Sequence, residues 1–332
     1  MADFDFPGRV GRLEDLMRRR GLDAAVFSVG SDLPYFSGYE AMPSERLTMF
    51  VVRPGDAPVM FVPRLEVPRV EPGDFSIVAW DELDDPVALV ASQLAGAGSV
   101  GIGDHTWSVF LVALTQALPG VSWSAASAVT SELRVFKDAA EIGFLRSAAQ
   151  AVDRVLARVP DELHFSGRTE AEIAGILRTM TVEEGHQEAT FSIVASGPNS
   201  ASPHHEPGDR LITRGDLVVC DFGGRLSGYC SDVTRTFSVG GATALQTEIH
   251  AAVGSANEAA RRTVAPGVSC EEVDSAARAV IADAGFGDMF IHRTGHGIGL
   301  EVHEHPYIVE GNERALAPGM TFSIEPGIYL RG

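Results

Sequence analysis

Apolar positions recur at helical spacing over residues 9–20, where Val10, Leu13, Leu16 and Met17 share one face and Gly21 supplies the stop. Ala24 to Val29 reads as a short apolar strand. Two more strands, Leu47 to Val52 and Pro58 to Val62, flank the turn signal Pro54-Gly55-Asp56 and predict a hairpin. Strands at Phe75 to Trp80 and Ser99 to Ile102, with helices over 86–95 and 106–118, complete an α/β domain. The alternation ends near Ser131 to Lys137, which places one domain over residues 1–131 and a second over 132–332.

The second domain opens with a long helix from Lys137, apolar at Ile142, Leu145, Ala149, Val152, Leu156 and Val159. The next helix starts at Thr169 with Glu172 three residues on, a capping box, and Gly185 follows it. The same order returns about a hundred residues later, with Ser269, Glu272 and Gly285 in the matching places. Each of these helices follows another long helix and precedes strand-like segments. The pattern predicts an α+β domain with an internal pseudo-twofold duplication. A site shared between the halves would draw its groups from both strand regions.

Composition narrows the function without naming it. The chain has 332 residues, 45% of them apolar, and a formal net charge of -19. That balance is opposite to the one a nucleic-acid binder normally shows. The only basic run, Arg18-Arg19-Arg20, ends a solvated helix. No apolar stretch approaches the roughly 18 residues a membrane helix needs. The N-terminus lacks the basic start and apolar run of a secretory signal, and three cysteines, Cys220, Cys230 and Cys270, form no even framework. The expectation is a cytoplasmic protein.

The chemistry-bearing residues fall in two strand regions. In "DLVVCDFGGRLSGYCSDVTRTF" an apolar strand, Leu217 to Cys220, ends on Asp221, Gly223, Gly224 and Gly228 mark turns, and a second strand, Val233 to Phe237, begins beside Asp232. Such a hairpin can bring both acids into one site, although aspartates also cap turns. The second region, "HRTGHGIGLEVHEHP", concentrates His292, His296, His303 and His305, and further on a strand, Thr321 to Ile324, ends on Glu325 before Pro326-Gly327. Converging carboxylates repel unless a cation neutralises them. Three carboxylates and an imidazole suit Mn²⁺, Co²⁺ or Zn²⁺. Thiolate ligation by Cys220 or Cys230 is disfavoured, because strand alternation turns each cysteine away from its neighbouring acid.

The contexts "DFGG", "GYCSDVTRTF", "GHGIGLEVHE" and "SIEPGIY", in that order, resemble the pita-bread metallopeptidases, most closely the Xaa-Pro dipeptidase (prolidase) and Xaa-Pro aminopeptidase branch. "GLDAAVFSVGSDLPYFSGY" resembles the start of that family's creatinase-like N-terminal domain, and "SELRVFKDAAEIGFLRSAA" its domain junction. The resemblance implies two divalent ions, manganese first, with cobalt or zinc as alternatives. Asp221 would chelate one ion, Asp232 would bridge both, and His296 and Glu325 would hold the other. Glu325 would also act as the catalytic proton acceptor. His303 and His204 would be catalytic histidines, with His292 and Tyr329 on the substrate side. A hydroxide bridging the two ions would cleave the bond preceding proline in dipeptides or short peptides. A homodimer is implied too. His205 and His305 match nothing assigned and read as ordinary polar neighbours.

The family pattern also carries a fifth ligand, a glutamate on a later strand, and the sequence ends at Gly332 soon after Glu325. The expectation is a catalytic domain that lacks the end of the pattern, with weak or single-metal occupancy and little peptidase activity. Two other readings use the same fold: a metal-free creatinase-like C–N hydrolase and a non-catalytic binding module. Intact ligand positions rank both below the peptidase.

Overall fold

The computed structural model describes residues 4–330. The chain divides between Arg134 and Val135 into two compact units. The first runs α1 (Phe6–Arg20), β1 (Ala24–Phe27), α2 (Asp32–Ser37), β2 (Met49–Val52), β3 (Val59–Pro63), β4 (Ser76–Trp80), α3 (Pro86–Gln93), β5 (Ser99–Ile102), α4 (Ser108–Ala117), β6 (Ser122–Ala125) and α5 (Ser127–Arg134). Asp5 caps α1 by accepting the Gly8 amide at 2.8 Å, and Gly21 ends it in the left-handed conformation. The mixed sheet has the order β4-β3-β2-β1-β5-β6. Its apolar core gathers Val26, Met49, Phe61, Val100 and Leu114. The hairpin turns where expected, with Gly55 at φ 91 and the Asp56 amide on the Arg53 carbonyl at 3.1 Å.

Three elements of this unit escape the hydrophobic pattern. The helix α2 is too short to show a period. The edge strand β6, Ser-Trp-Ser-Ala, is largely exposed and pairs only with β5. The helix α5 covers the expected boundary, so a cut after residue 131 falls inside it. Arg134 at its end is held by a 3.0 Å ion pair with Asp32.

The second unit runs α6 (Ala139–Glu162), α7 (Glu170–Glu183), β7 (Glu188–Ser196), β8 (Leu217–Leu226), β9 (Tyr229–Cys230), β10 (Val233–Ser238), α8 (Ala244–Thr263), α9 (Cys270–Asp283), β11 (Gly295–Gly297) and β12 (Glu304–Ile308). Capping boxes open α6, α7, α8 and α9. Each satisfies two amides that the first helical turn would otherwise leave unpaired. Behind β8 lies an apolar core of Val155, Leu177, Val194, Val218 and Phe222. Behind β11 and β12 lies a second one of Val273, Ala277, Ile281, Phe290 and Ile308. Among the described residues, no helix is long and apolar enough to cross a membrane.

Candidate metal centre

The first pair of acids is set by strand register. The strands β8 and β10 are antiparallel, with Asp221 opposite Thr234 and Phe222 opposite Val233. Asp232 and Thr234 therefore share a face with Asp221, because side chains alternate with a period of two. Thr234 Oγ1 donates to Asp221 Oδ1 at 2.9 Å. The expectation that Gly223 and Gly224 mark turns is corrected here: both lie inside β8. A Cβ on Gly223 would overlap the Ser231 carbonyl, and one on Gly224 the Glu188 carbonyl. Close strand approach requires them. The turn lies further on, at Ser227 (φ 53) and Gly228 (φ 84).

The second half supplies His296 and Glu325. His296 sits in the middle of β11, and a Cβ on either flanking glycine would meet backbone: Gly295 the Ser323 carbonyl, Gly297 the His305 carbonyl. The segment expected as a strand over Thr321 to Ile324 is extended but makes only one isolated bridge, Gly297 with Phe322. Ser323 explains the broken ladder. Its backbone amide donates to the His296 carbonyl at 2.8 Å, but the His296 amide goes to Ser323 Oγ at 3.0 Å, not to its carbonyl. The Glu325 amide donates to the Thr294 carbonyl at 2.8 Å, which fixes the acid beside β11.

The two halves meet at the His296 ring. Its Nε2 lies 3.3 Å from Asp232 Oδ2 and 3.2 Å from Glu325 Oε1. Ligating atoms of Asp232, His296 and Glu325 all fall within 4.8 Å of one another, a spacing that could hold a metal ion. Asp221 stands beside this trio rather than in it. Burial pushes the Asp221 carboxyl up to about 7, and the Asp232 carboxylate adds to the effect. Burial pulls the His296 imidazole down, but hydrogen bonds to Asp232 and Glu325 outweigh it and raise the ring to about 10. The same contact, against the opposing effect of burial, holds Glu325 below its ordinary value.

These shifts test the fit of a cation. Three carboxylates and an imidazole converge, and without a cation they gather protons: one on His296 Nε2, between two carboxylates, and one on Asp221 as the pH falls through neutral. A divalent ion would supply that charge directly, and the oxygen and nitrogen donors suit it. The residues fit the group. Cys220 and Cys230 lie outside the cluster; burial pushes the Cys220 thiol up, and Cys230 Sγ donates to the Leu300 carbonyl at 3.6 Å.

Around the trio stand the other expected groups. The His303 ring packs edge-on to His296 with centroids 4.1 Å apart, and burial lowers its pKa. His292 Nδ1 faces the Arg293 carbonyl at 2.7 Å, so Nδ1 carries the proton and Nε2 accepts the Tyr329 hydroxyl at 2.9 Å. Burial also lowers His292, and pushes the Tyr329 hydroxyl up to about 12, so both are neutral near pH 7. His204 is exposed on the loop after β7, close enough for its charge to act on His292.

Two buried acids that the hydrophobic pattern does not mark carry the surroundings. Asp274, on the apolar face of α9, accepts the Thr294 amide at 3.1 Å and pairs with Arg278 at 2.6 Å. Arg278 in turn donates to the carbonyls of Phe290 and His292. Glu170, at the start of α7, is fully buried as well. The available signal was an acid on the apolar face of an amphipathic helix.

Known proteins resemble this chain over nearly its whole length. The creatinase/prolidase N-terminal domain model matches residues 9–136, and the metallopeptidase family M24 model matches residues 143–332. A probable dipeptidase, PepE, of Mycobacterium tuberculosis is 44% identical over 94% of this chain and 84% of its own length. The Xaa-Pro dipeptidase of Lactobacillus helveticus is 35% identical over 97% of this chain and 90% of its own. The crystal structure of a recombinant prolidase from Thermococcus sibiricus superposes with a TM-score of 0.95 at 36% identity, covering 100% of this chain and 92% of that one. The chain is a two-domain protein of metallopeptidase family M24, with a creatinase/prolidase N-terminal domain ahead of a pita-bread catalytic domain.

Proposed function

We propose that this peptidase hydrolyses the bond preceding proline in Xaa-Pro dipeptides, using two divalent cations, manganese first, held by Asp221, Asp232, His296 and Glu325. The observation that carries the reading is the convergence of Asp232, His296 and Glu325 from two separate strand regions onto one point. Prolidase and Xaa-Pro dipeptidase relatives support the substrate class. Bound divalent ions would bring the pKa of a water from 15.7 towards about 7 and polarise the scissile carbonyl.

The chain's own residues do the rest. Glu325, held ionised by its contact with His296, accepts the proton of the attacking water. His303, neutral because it is buried, donates a ring N–H to the carbonyl oxygen as charge develops there. His204 meets the departing imino nitrogen from the substrate side. The His292–Tyr329 pair presents a neutral wall, because the hydroxyl proton is committed to His292 Nε2. Three free, buried cysteines suit a reducing cytoplasm. The metal-free C–N hydrolase reading loses ground, since the trio that would hold metal is intact.

Metal content after mild purification, followed by hydrolysis of Ala-Pro, Ala-Pro-Ala and Ala-Ala, tests the proposal. Metal-dependent cleavage of Ala-Pro well above the other two is expected. Equal cleavage of Ala-Ala, or turnover that survives chelation, would overturn it.

A further inference from the structure

Glu170 has 0% of its surface exposed. A carboxylate in such a place is tolerated only when its oxygens are fully hydrogen-bonded. It accepts the Ser196 amide and the Ser196 hydroxyl, each at 2.7 Å, Asn199 Nδ2 at 3.0 and 3.2 Å, His205 Nε2 at 2.7 Å and the Gly208 amide at 3.4 Å. Every one of these donors lies on the segment from Ser196 to Gly208. Burial alone would raise the carboxyl, but the bonds from Ser196 and His205 outweigh it and keep Glu170 below its ordinary value. An ionised acceptor fixes the tautomer of its neighbour, so His205 carries its proton on Nε2.

The segment is anchored at both ends. Arg210 holds Ser196 Oγ at 2.6 Å and Asp216 in a two-pronged pair at 2.7 and 3.0 Å. Between the ends, His205 turns inward to Glu170, and the adjacent His204 is left exposed on the loop. The backbone of His204 is therefore tied through its immediate neighbour.

We propose that His205 and Glu170 are a positioning pair for the reaction, in which the inward imidazole, locked to a buried carboxylate, sets where the adjacent His204 meets the substrate. This rests on the substrate-side role given to His204 above. His205 thus acts on turnover through His204. A mere structural bond would act through folded fraction or through metal content instead.

A double-mutant cycle on the manganese-loaded 332-residue chain tests it, with Ala-Pro as substrate at a temperature where all variants are folded. His204→Ala is expected to lower kcat about 10²-fold, the effect of losing one aimed donor. His205→Ala is expected to lower kcat about 10-fold, since small misplacement of a reacting group is costly. In the His204→Ala background the second change should cost less than about twofold, because residues acting as a unit are not additive. His205→Gln, whose amide nitrogen can still donate to Glu170, should recover most of the rate. Manganese affinity by calorimetry should match wild type throughout. The proposal is overturned if His205→Ala turns over at the wild-type rate, if its loss persists in the double mutant, if the Gln variant is as slow as the Ala variant, or if manganese is lost. His204→Ala at the wild-type rate would remove the premise, and the proposal with it, while leaving Xaa-Pro hydrolysis standing.

Discussion

The two halves of the catalytic unit share a backbone and differ in where they place charge. In the first half the Gly167 amide meets the Ile212 carbonyl at 2.9 Å, and in the second the Gly267 amide meets the Leu316 carbonyl at 2.8 Å. The return bonds match as well, Ile212 to Arg168 at 2.9 Å and Leu316 to Val268 at 2.7 Å. Both α7 and α9 have 14 residues and open on a capping box. The position after the cap then diverges. Glu170 in the first half is a buried hub for a loop; Cys270 in the second is a buried apolar filler, and the acid moves one turn on to Asp274. The candidate site groups diverge too: the first half offers Asp221 on β8 and Asp232 just before β10, the second His296 on β11 and Glu325 on the extended segment beside it. A duplicated frame is symmetric, but a site built across it need not be, because each half supplies only part of the proposed donor set.

The sharpest way to break this comparison is to remove one proposed ligand from each half. Asp232→Ala and Glu325→Ala should each abolish turnover and lower bound manganese without unfolding the chain. Wild-type turnover with full metal content in either variant would show that one half suffices. His303→Ala should instead lower kcat about 10²–10³-fold, the usual effect of losing a stabiliser of developing charge. Metal content should be nearly unchanged. If the variant loses metal and keeps its rate per metal, His303 belongs to the donor set.

Much of this unit was legible in the sequence. The capping boxes and the glycines that follow them announce the repeat, since caps rest on residue types at fixed offsets. The acids stood out because each ends or adjoins an apolar strand. The glycines Gly223 and Gly224 misled, because the same residue serves a turn and a close strand approach, and only the partner backbone distinguishes them. The strand over Thr321 to Ile324 failed for a similar reason: its apolar run is real, but Ser323 diverts one ladder bond to its own side chain. His205 read as an ordinary neighbour because its partner, Glu170, is distant in sequence and hidden in a helix start.

Acid–base linkage separates the halves more gently. Asp221, raised from 3.8 to about 7, and His296, raised from 6.5 to about 10, both bind protons more tightly when folded. Their stabilisation is present at low pH. It is lost as pH rises, through about 7 for Asp221 and through about 10 for His296. Glu325, lowered from 4.5, has the opposite sign and gives up its stabilisation only as pH falls below that value. The chelator-treated protein should therefore melt at a lower temperature at pH 9 than at pH 7.5, a window above 6.5 in which the lowered His292 and His303 are already neutral and add no opposing change. Saturating manganese should narrow the gap, and His296→Gln should flatten the slope of the metal-free form. A chelated melting temperature that rises over this range would contradict the assigned shifts.

The smallest effect tests the frame itself. Thr169 Oγ1 accepts the Glu172 amide at 3.1 Å, and Ser269 Oγ accepts the Glu272 amide at 3.2 Å; both bonds are exposed. The reciprocal bonds, from the cap amide to the glutamate, are 2.7 Å in each half. Loss of such a cap costs about 1 kcal/mol. If the halves are equivalent as frames, Thr169→Ala and Ser269→Ala should shift the denaturant midpoint by similar amounts. Their sum should describe the double variant, because distant sites without shared partners add. Thr169 does stand next to Glu170, so a much larger loss there would mean that the cap also holds the loop hub, and the two frames would not be interchangeable. Unfolding of the metal-free chain, followed by circular dichroism, distinguishes these outcomes without reference to activity.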